Sequence, residues 1–178
     1  MKRIILSGGP GTGKSSILKA LSKLGYACKE ESFREFIPED SVAESTFNFQ
    51  NSPLRFSELL FKSRVQQYHQ AVHNETNFYD RSLIDVVAYL VLDEIDAPKE
   101  WLDFIENNKY HNTVLYFPFW EEIYHKDYKR VENITLAKKI DLQLRKTYKE
   151  LGYKIIEIPK LSIPKRVEFI CEFLKINI

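Results

Sequence analysis

Apolar residues along this chain fall either in short runs or in stripes at helical spacing. Residues 3–7 (Arg-Ile-Ile-Leu-Ser) form a short apolar run, which predicts a buried strand. Residues 14–24 then place Ile17, Leu18, Leu21 and Leu24 on one helical face, and 26–31 predict a second strand. Residues 38–52 are polar, lie between Pro38 and Pro53 and show no clean period, which predicts a long surface loop. From Pro53 to about Asn74 a helix has two apolar faces, Phe56, Leu59 and Leu60 on one and Phe61, Val65, Tyr68 and Val72 on the other, so it should be largely buried. Residues 77–80 predict a strand, and Ser82 can cap a helix through Ile84, Val87, Ala88 and Val91. A helix from Pro98 to about Asn107 and a strand from Thr113 to Phe117 follow, the strand stopped by Pro118. Residues 132–151 carry Leu136, Ile140, Leu144, Tyr148 and Leu151 on one stripe. A strand from Tyr153 to Ile158 and a helix from Pro164 to Leu174, with Ile163, Val167, Ile170, Cys171 and Leu174 aligned, complete the pattern. Strands alternating with helices predict an α/β sandwich around a parallel sheet of about five strands.

The glycines sharpen this reading. Gly25 and Gly152 each end a helical stretch and precede Tyr and an apolar run, as helix C-caps leading into strands do. The other four of the six glycines crowd between Gly8 and Gly13. There the chain reads Gly8-Gly9-Pro10-Gly11-Thr12-Gly13-Lys14-Ser15, a match to G-x-x-x-x-G-K-[ST] placed between a predicted strand and a predicted helix, with Ser16 in the helix's first turn. Glycines let successive N–H groups point inward at phosphate oxygens, and the helix beginning near Lys14 adds the positive end of its dipole. Lys14 is placed to reach the β- and γ-phosphates of a nucleotide, and Ser15 to offer a hydroxyl to Mg²⁺.

In a parallel sheet, ligands bind beyond the carboxyl ends of the strands. There strand two delivers Glu30 and Glu31, followed by Arg34; strand three delivers Asp80, Arg81 and Ser82; strand four delivers Pro118, Phe119 and Trp120. Asp80 is the candidate for the Mg²⁺ shell, although the same position could serve as a helix cap. Arg81 could clamp a phosphate, Glu31 could act as general base on a substrate hydroxyl, and Arg34 could touch the acceptor. Gln66 would border the acceptor pocket with them. Arg130 lies in a charge-dense stretch, within a lid-like segment at about 118–132, where a cation could neutralise the moving phosphoryl group. The aromatics Phe117, Phe119 and Trp120 could stack on a base, but at a strand end they read better as core. His69 and His73 stand four apart on one helix face, but Gln70 stands where a zinc protease would carry Glu and no third ligand is placed.

Composition narrows the classes further. With 178 residues, 44% of them hydrophobic, the chain is predicted to be one domain over 1–178 with a real core. Lys and Arg number 26 against 25 Asp and Glu, which argues against a general nucleic-acid binder. Two distant cysteines, Cys28 and Cys171, exclude a disulfide scaffold and fit a reducing cytoplasm. The first apolar run stops at Ser7-Gly8, too short for a signal peptide, and Val86 to Leu92 cannot span a bilayer, so no membrane span is expected.

These residues carry a resemblance over nearly the whole chain. Gly8 to Ser15, Glu31-Ser32-Phe33-Arg34-Glu35, Phe78-Tyr79-Asp80-Arg81-Ser82 with Asp85 and Tyr89, Asp127-Tyr128-Lys129-Arg130, Tyr148 to Tyr153 and Arg166 to Ile170 together resemble the AAA-type P-loop ATPases related to the kinase domain of NadR, the ribosylnicotinamide kinase. The resemblance implies a three-layer P-loop NTPase sandwich like that of small nucleoside and nucleotide kinases, with strand order 2-3-1-4-5. It implies ATP and Mg²⁺ on Lys14 and Ser15, Glu31 as base, Asp80-Arg81 as the acidic–arginine pair of the third strand, and Arg130 as a lid arginine. Ser82 stands where this family often has Gly, closer to the deoxynucleoside-kinase pattern. Two functions follow as expectations: transfer of the γ-phosphoryl group of ATP to a nucleoside- or nucleotide-like small acceptor, or a nucleotide-dependent ATPase/GTPase-type switch that binds a partner or lipid head group. A ring-forming AAA+ motor is disfavoured, because the chain is short for that module's helical lid domain.

Overall fold

The computed structural model describes residues 1–30, 52–123 and 134–177. Its five strands are β1 (Lys2–Ser7), β2 (Ala27–Lys29), β3 (Thr76–Asp80), β4 (Thr113–Tyr116) and β5 (Lys154–Glu157). All pair in parallel in the order β2-β3-β1-β4-β5. The helices are α1 (Lys14–Lys23), α2 (Pro53–His69), α3 (Leu83–Leu92), α4 (Lys99–Asn107), α5 (Ile134–Glu150) and α6 (Ile163–Leu174), with a 3₁₀ turn at Glu121–Ile123.

Alternation along the strands assigns the two layers, because successive side chains point to opposite faces of a sheet. Ile4 and Leu6 of β1, Phe78 of β3 and Leu115 of β4 meet Ile17, Leu18 and Leu21 of α1 and Val167, Ile170, Cys171 and Leu174 of α6. Ile5, Tyr79 and Val114 face the other way, onto α2, α3, α4 and Tyr148 of α5. Ala88, Tyr116, Ile140 and Leu144 continue that second layer. Both cysteines are free thiols. Among the described residues no helix is long and apolar enough to cross a membrane.

Element types follow the periodicity, and several details depart from it. The α2 helix ends at His69, with Gln70 as C-cap, so Val72 and His73 lie beyond it and the two histidines share no helix face. Its buried residues include Ser57, Ser63 and Arg64 beside Phe61 and Tyr68, so its buried surface mixes polar with apolar side chains. Leu24, Val91, Leu136 and Ile163 are exposed despite their stripe positions, because each lies at or next to a helix end, where the neighbouring layer no longer covers it. On α5, Ala137 takes the buried position that the stripe assigned to Leu136.

Candidate functional site

The loop between β1 and α1 is built around its glycines. Gly8 has φ of 139°, and a Cβ there would lie 2.2 Å from the carbonyl oxygen of Phe117, so only glycine lets the chain leave β1 against the end of β4. Gly13 has φ of 87° and forms the N-cap of α1, which no side chain caps. The first-turn N–H groups of α1 are thus left to a ligand, the arrangement that makes helix starts bind anions. The Thr12 hydroxyl donates to Gly9 O at 3.0 Å and braces the loop from within. The Lys14 ammonium folds over the same loop, donating to Gly8 O at 2.9 Å and Gly9 O at 2.7 Å, with Thr12 Oγ1 at 3.4 Å. Pro10 follows these carbonyls in the loop and is partly exposed.

Asp80 ends β3 on the α1 side of the sheet, two residues beyond Phe78 and therefore on the same face. The Ser15 hydroxyl donates to Asp80 Oδ2 at 2.9 Å. The other oxygen, Oδ1, is buried and has no hydrogen-bond partner among the described residues. A buried acceptor left open is costly unless something fills it. The donor set is two hard oxygens beside a phosphate cradle, which fits Mg²⁺ held by few protein ligands, phosphates and water.

A cavity of about 320 Å³ opens at this loop, lined by Gly11, Thr12, Gly13, Lys14, Ser15 and Ser16, together with Ile123 and Arg166. Arg166 comes from the fourth position of α6; it opens one of the stretches that carry the family resemblance, but the sequence assigns it no site role. Its Nη1 donates to Thr12 O at 3.3 Å. Its guanidinium lies 5.6 Å from the centre of the Trp120 ring. Burial holds its pKa below the usual arginine value. One sequence signal marks it: Arg166 stands four residues before Ile170, so a charge occupies a position on the core stripe of α6.

A second cluster lies one step along the chain. Arg81 has φ of 72°, rare for a residue with a side chain, while its N–H still pairs with Leu6 O at 3.0 Å. Its guanidinium stands 3.7 Å from Asp85 Oδ1 and 5.5 Å from the centre of the Tyr89 ring. Asp85 accepts from Ser7 Oγ at 2.7 Å, from Ser82 N at 2.7 Å, from Ser82 Oγ at 3.1 Å and from Tyr148 OH at 2.5 Å. Ser82 in turn caps α3, so the two residues form a capping box. Burial, then the neighbouring charge of Asp85, pushes the Tyr148 hydroxyl well above the usual tyrosine range.

The structure thus gathers Gly8 to Ser16 and Asp80 at one sheet end, with Arg81 adjoining. Gln66 is exposed; its neighbours reach inward instead, Gln67 donating to Glu30 O at 2.7 Å and buried Arg64 to Asp80 O at 3.3 Å. Phe117 is core, whereas Trp120 is only partly buried and lies beneath Arg166. Glu31, Arg34 and Arg130 lie outside the described residues, as do 38–51 of the predicted loop and 124–132 of the lid-like segment. Among the described residues no group of three or more His, Cys, Asp or Glu could hold a metal by itself, and His69 and His73 belong to none.

A parallel 2-3-1-4-5 sheet flanked by helices, with a phosphate loop after β1, is a P-loop NTPase fold. A family model described as an AAA domain matches residues 3–166, and the chain belongs to that AAA domain family. None of the curated proteins matches the chain. Among solved structures, the deoxyadenosine kinase of M. mycoides with its products dCMP and dCDP is 18% identical, with 97% of this chain and 98% of that chain covered and a TM-score of 0.70. The same kinase with bound dATP is 22% identical over 97% and 99% of the two chains, with a TM-score of 0.64. The YorR protein of Bacillus subtilis, in complex with phosphorylated GDP, is 18% identical over 98% and 96%, with a TM-score of 0.61. At these identities the likeness is one of fold.

Proposed function

We propose that this protein is an ATP·Mg²⁺-dependent phosphotransferase that acts in the cytoplasm on a nucleoside- or nucleotide-like small acceptor, in the NadR-related branch of its family. The observation that carries the reading is the Ser15–Asp80 pair at the mouth of the phosphate loop, with Asp80 Oδ1 buried and open. Lys14 and the backbone N–H groups of residues 8–16 other than Pro10 would hold the donor's phosphates, and Ser15 and Asp80 would hold Mg²⁺. The ion, when bound, neutralises charge developing on the transferred group. Positioning and charge stabilisation are the main demands of phosphoryl transfer, so a site of this kind needs little else on the donor side. The acceptor class is supported by the structural neighbours that are deoxyadenosine kinases, and by the Asp80-Arg81-Ser82 triplet.

Within this reading Glu31 takes the acceptor's proton, Arg34 and Arg81 hold the acceptor, and Arg130 closes over the moving phosphoryl group. ATP consumption measured against a panel of nucleosides, nucleotides and cofactors, with an acceptor-free control, tests it. Consumption that depends on one acceptor class is expected. Acceptor-independent hydrolysis alone would favour the nucleotide-dependent switch. With the acceptor in hand, Glu31→Gln should slow turnover by roughly 10²–10⁴-fold at nearly unchanged ATP affinity, the usual worth of a general base. Full turnover in that variant would remove Glu31 from the chemistry.

A further inference from the structure

Arg166 is 6% exposed, and its interactions do not account for its charge. Nη1 makes one hydrogen bond, to Thr12 O, and Nε is buried with no partner among the described residues. No carboxylate among the described residues pairs with it, and the one ring contact, to Trp120, offers only a weak cation–π attraction. A buried guanidinium with no counter-ion is unfavourable by itself. Its surroundings show what would offset that cost. A Cβ on Gly13 would meet Nη1 at 2.9 Å, so the guanidinium occupies the space over Gly13 where any larger residue would have a side chain. Among the described residues the cavity's charged side chains are Lys14 and Arg166, both cations, and none of its described lining residues is a carboxylate. The two cations approach the loop from opposite ends of the chain, one from α1 and one from α6.

We propose that Arg166 is a second cation of the donor site, binding the polyphosphate of the nucleotide beside Gly13 through the guanidinium edge that carries Nε, while Nη1 stays on Thr12 O. The proposal rests on the reading of the loop as the donor's phosphate site. It adds a phosphate ligand supplied by the last helix, which ties the docking of α6 to occupancy of the loop. Arginine suits the position better than lysine, because its planar fork can keep the Thr12 carbonyl on one edge while offering Nε to an anion on the other.

The probe is inorganic tripolyphosphate, which has the donor's charge but no base or ribose, titrated calorimetrically beside ATP, both with Mg²⁺. Arg166→Met keeps much of the stem and removes the charge. It should weaken tripolyphosphate and ATP by the same factor, roughly ten- to a hundredfold, as expected for a lost hydrogen bond to a charged group. It should also reduce the dependence of binding on salt, while Arg166→Lys recovers part of the loss. A merely structural arginine would leave both affinities per folded molecule unchanged, and that result overturns the proposal. Loss of ATP affinity with tripolyphosphate unaffected also overturns it, because the contact would then be to the base or ribose.

Should neither variant fold, the natural chain still reports through Trp120. Tripolyphosphate should change its fluorescence, and the change should vanish in Trp120→Phe; no change contradicts the proposal. Lys14→Ala separates the two levels. If the natural chain binds neither ligand, the donor-site reading falls, and this proposal with it. If Lys14→Ala abolishes binding and Arg166→Met does not alter it, only the role of Arg166 falls.

Discussion

Asp80 and Asp85 stand five residues apart where β3 hands over to α3, and both are almost wholly buried, at 3% and 1% exposure. Their surroundings are opposite. Asp85 accepts from Ser7, Tyr148 and twice from Ser82, groups belonging to β1, α5 and the cap of α3. Asp80 accepts from Ser15 on one oxygen and leaves the other open. A carboxyl whose acceptor sites are filled from three elements is a joint of the fold. A buried carboxyl with one oxygen unpartnered among the described residues, beside a phosphate loop, fits the ligand-holding role proposed above. Residue type and burial are the same in the two cases. The count of satisfied acceptor sites distinguishes them.

The comparison can be broken most forcibly at Asp85. Asp85→Ala should destabilise the protein by about 3–5 kcal/mol in urea unfolding, since it strands several buried donors at once. A loss below about 1 kcal/mol, the range of a typical single hydrogen bond, would show that the network contributes little. Tyr148→Phe removes one donor and keeps the ring. It should cost about 2 kcal/mol and leave Mg²⁺·ATP affinity within about twofold, as expected for separate clusters. A larger loss of affinity would mean that the two carboxyl environments are coupled through Arg81 and α3. The smallest effect on stability is expected at Asp80. Asp80→Asn should leave unfolding unchanged or raise stability by up to about 1 kcal/mol, because it removes an unfilled charged acceptor. Destabilisation as large as that at Asp85 would erase the distinction.

These contrasts also show what a sequence can reveal. The phosphate loop is legible because its chemistry is contiguous: eight residues make the cradle and begin the helix behind it. Asp80 is legible because it directly follows the apolar Phe78 and Tyr79 at a strand's carboxyl end. The sheet and its flanking helices follow from short apolar runs alternating with stripes of period 3.6. Asp85 is harder to read, since its partners Ser7 and Tyr148 lie 78 and 63 residues away and no local pattern joins them. Arg166 is harder still, 154 residues from Thr12: the resemblance includes it in a stretch without a role, and its own surroundings in the sequence mark it only as a charge on an apolar stripe. Arg64 gives the same signal on α2, between Phe61 and Tyr68, where Gln66 looked the better candidate. Polar residues on core stripes are thus the sequence trace of tertiary sites, but the trace does not say which partner they meet.

The central claim is that Asp80 and Ser15 hold Mg²⁺ for a nucleotide seated on the loop. Calorimetric titration of ATP, with and without Mg²⁺, into the natural chain and into Asp80→Asn tests it most directly. The account predicts that Mg²⁺ strengthens ATP binding to the natural chain and that Asp80→Asn loses most of that enhancement, with Mg²⁺-free ATP binding equal or tighter once the negative charge is gone. An enhancement by Mg²⁺ that is the same in both proteins would contradict it.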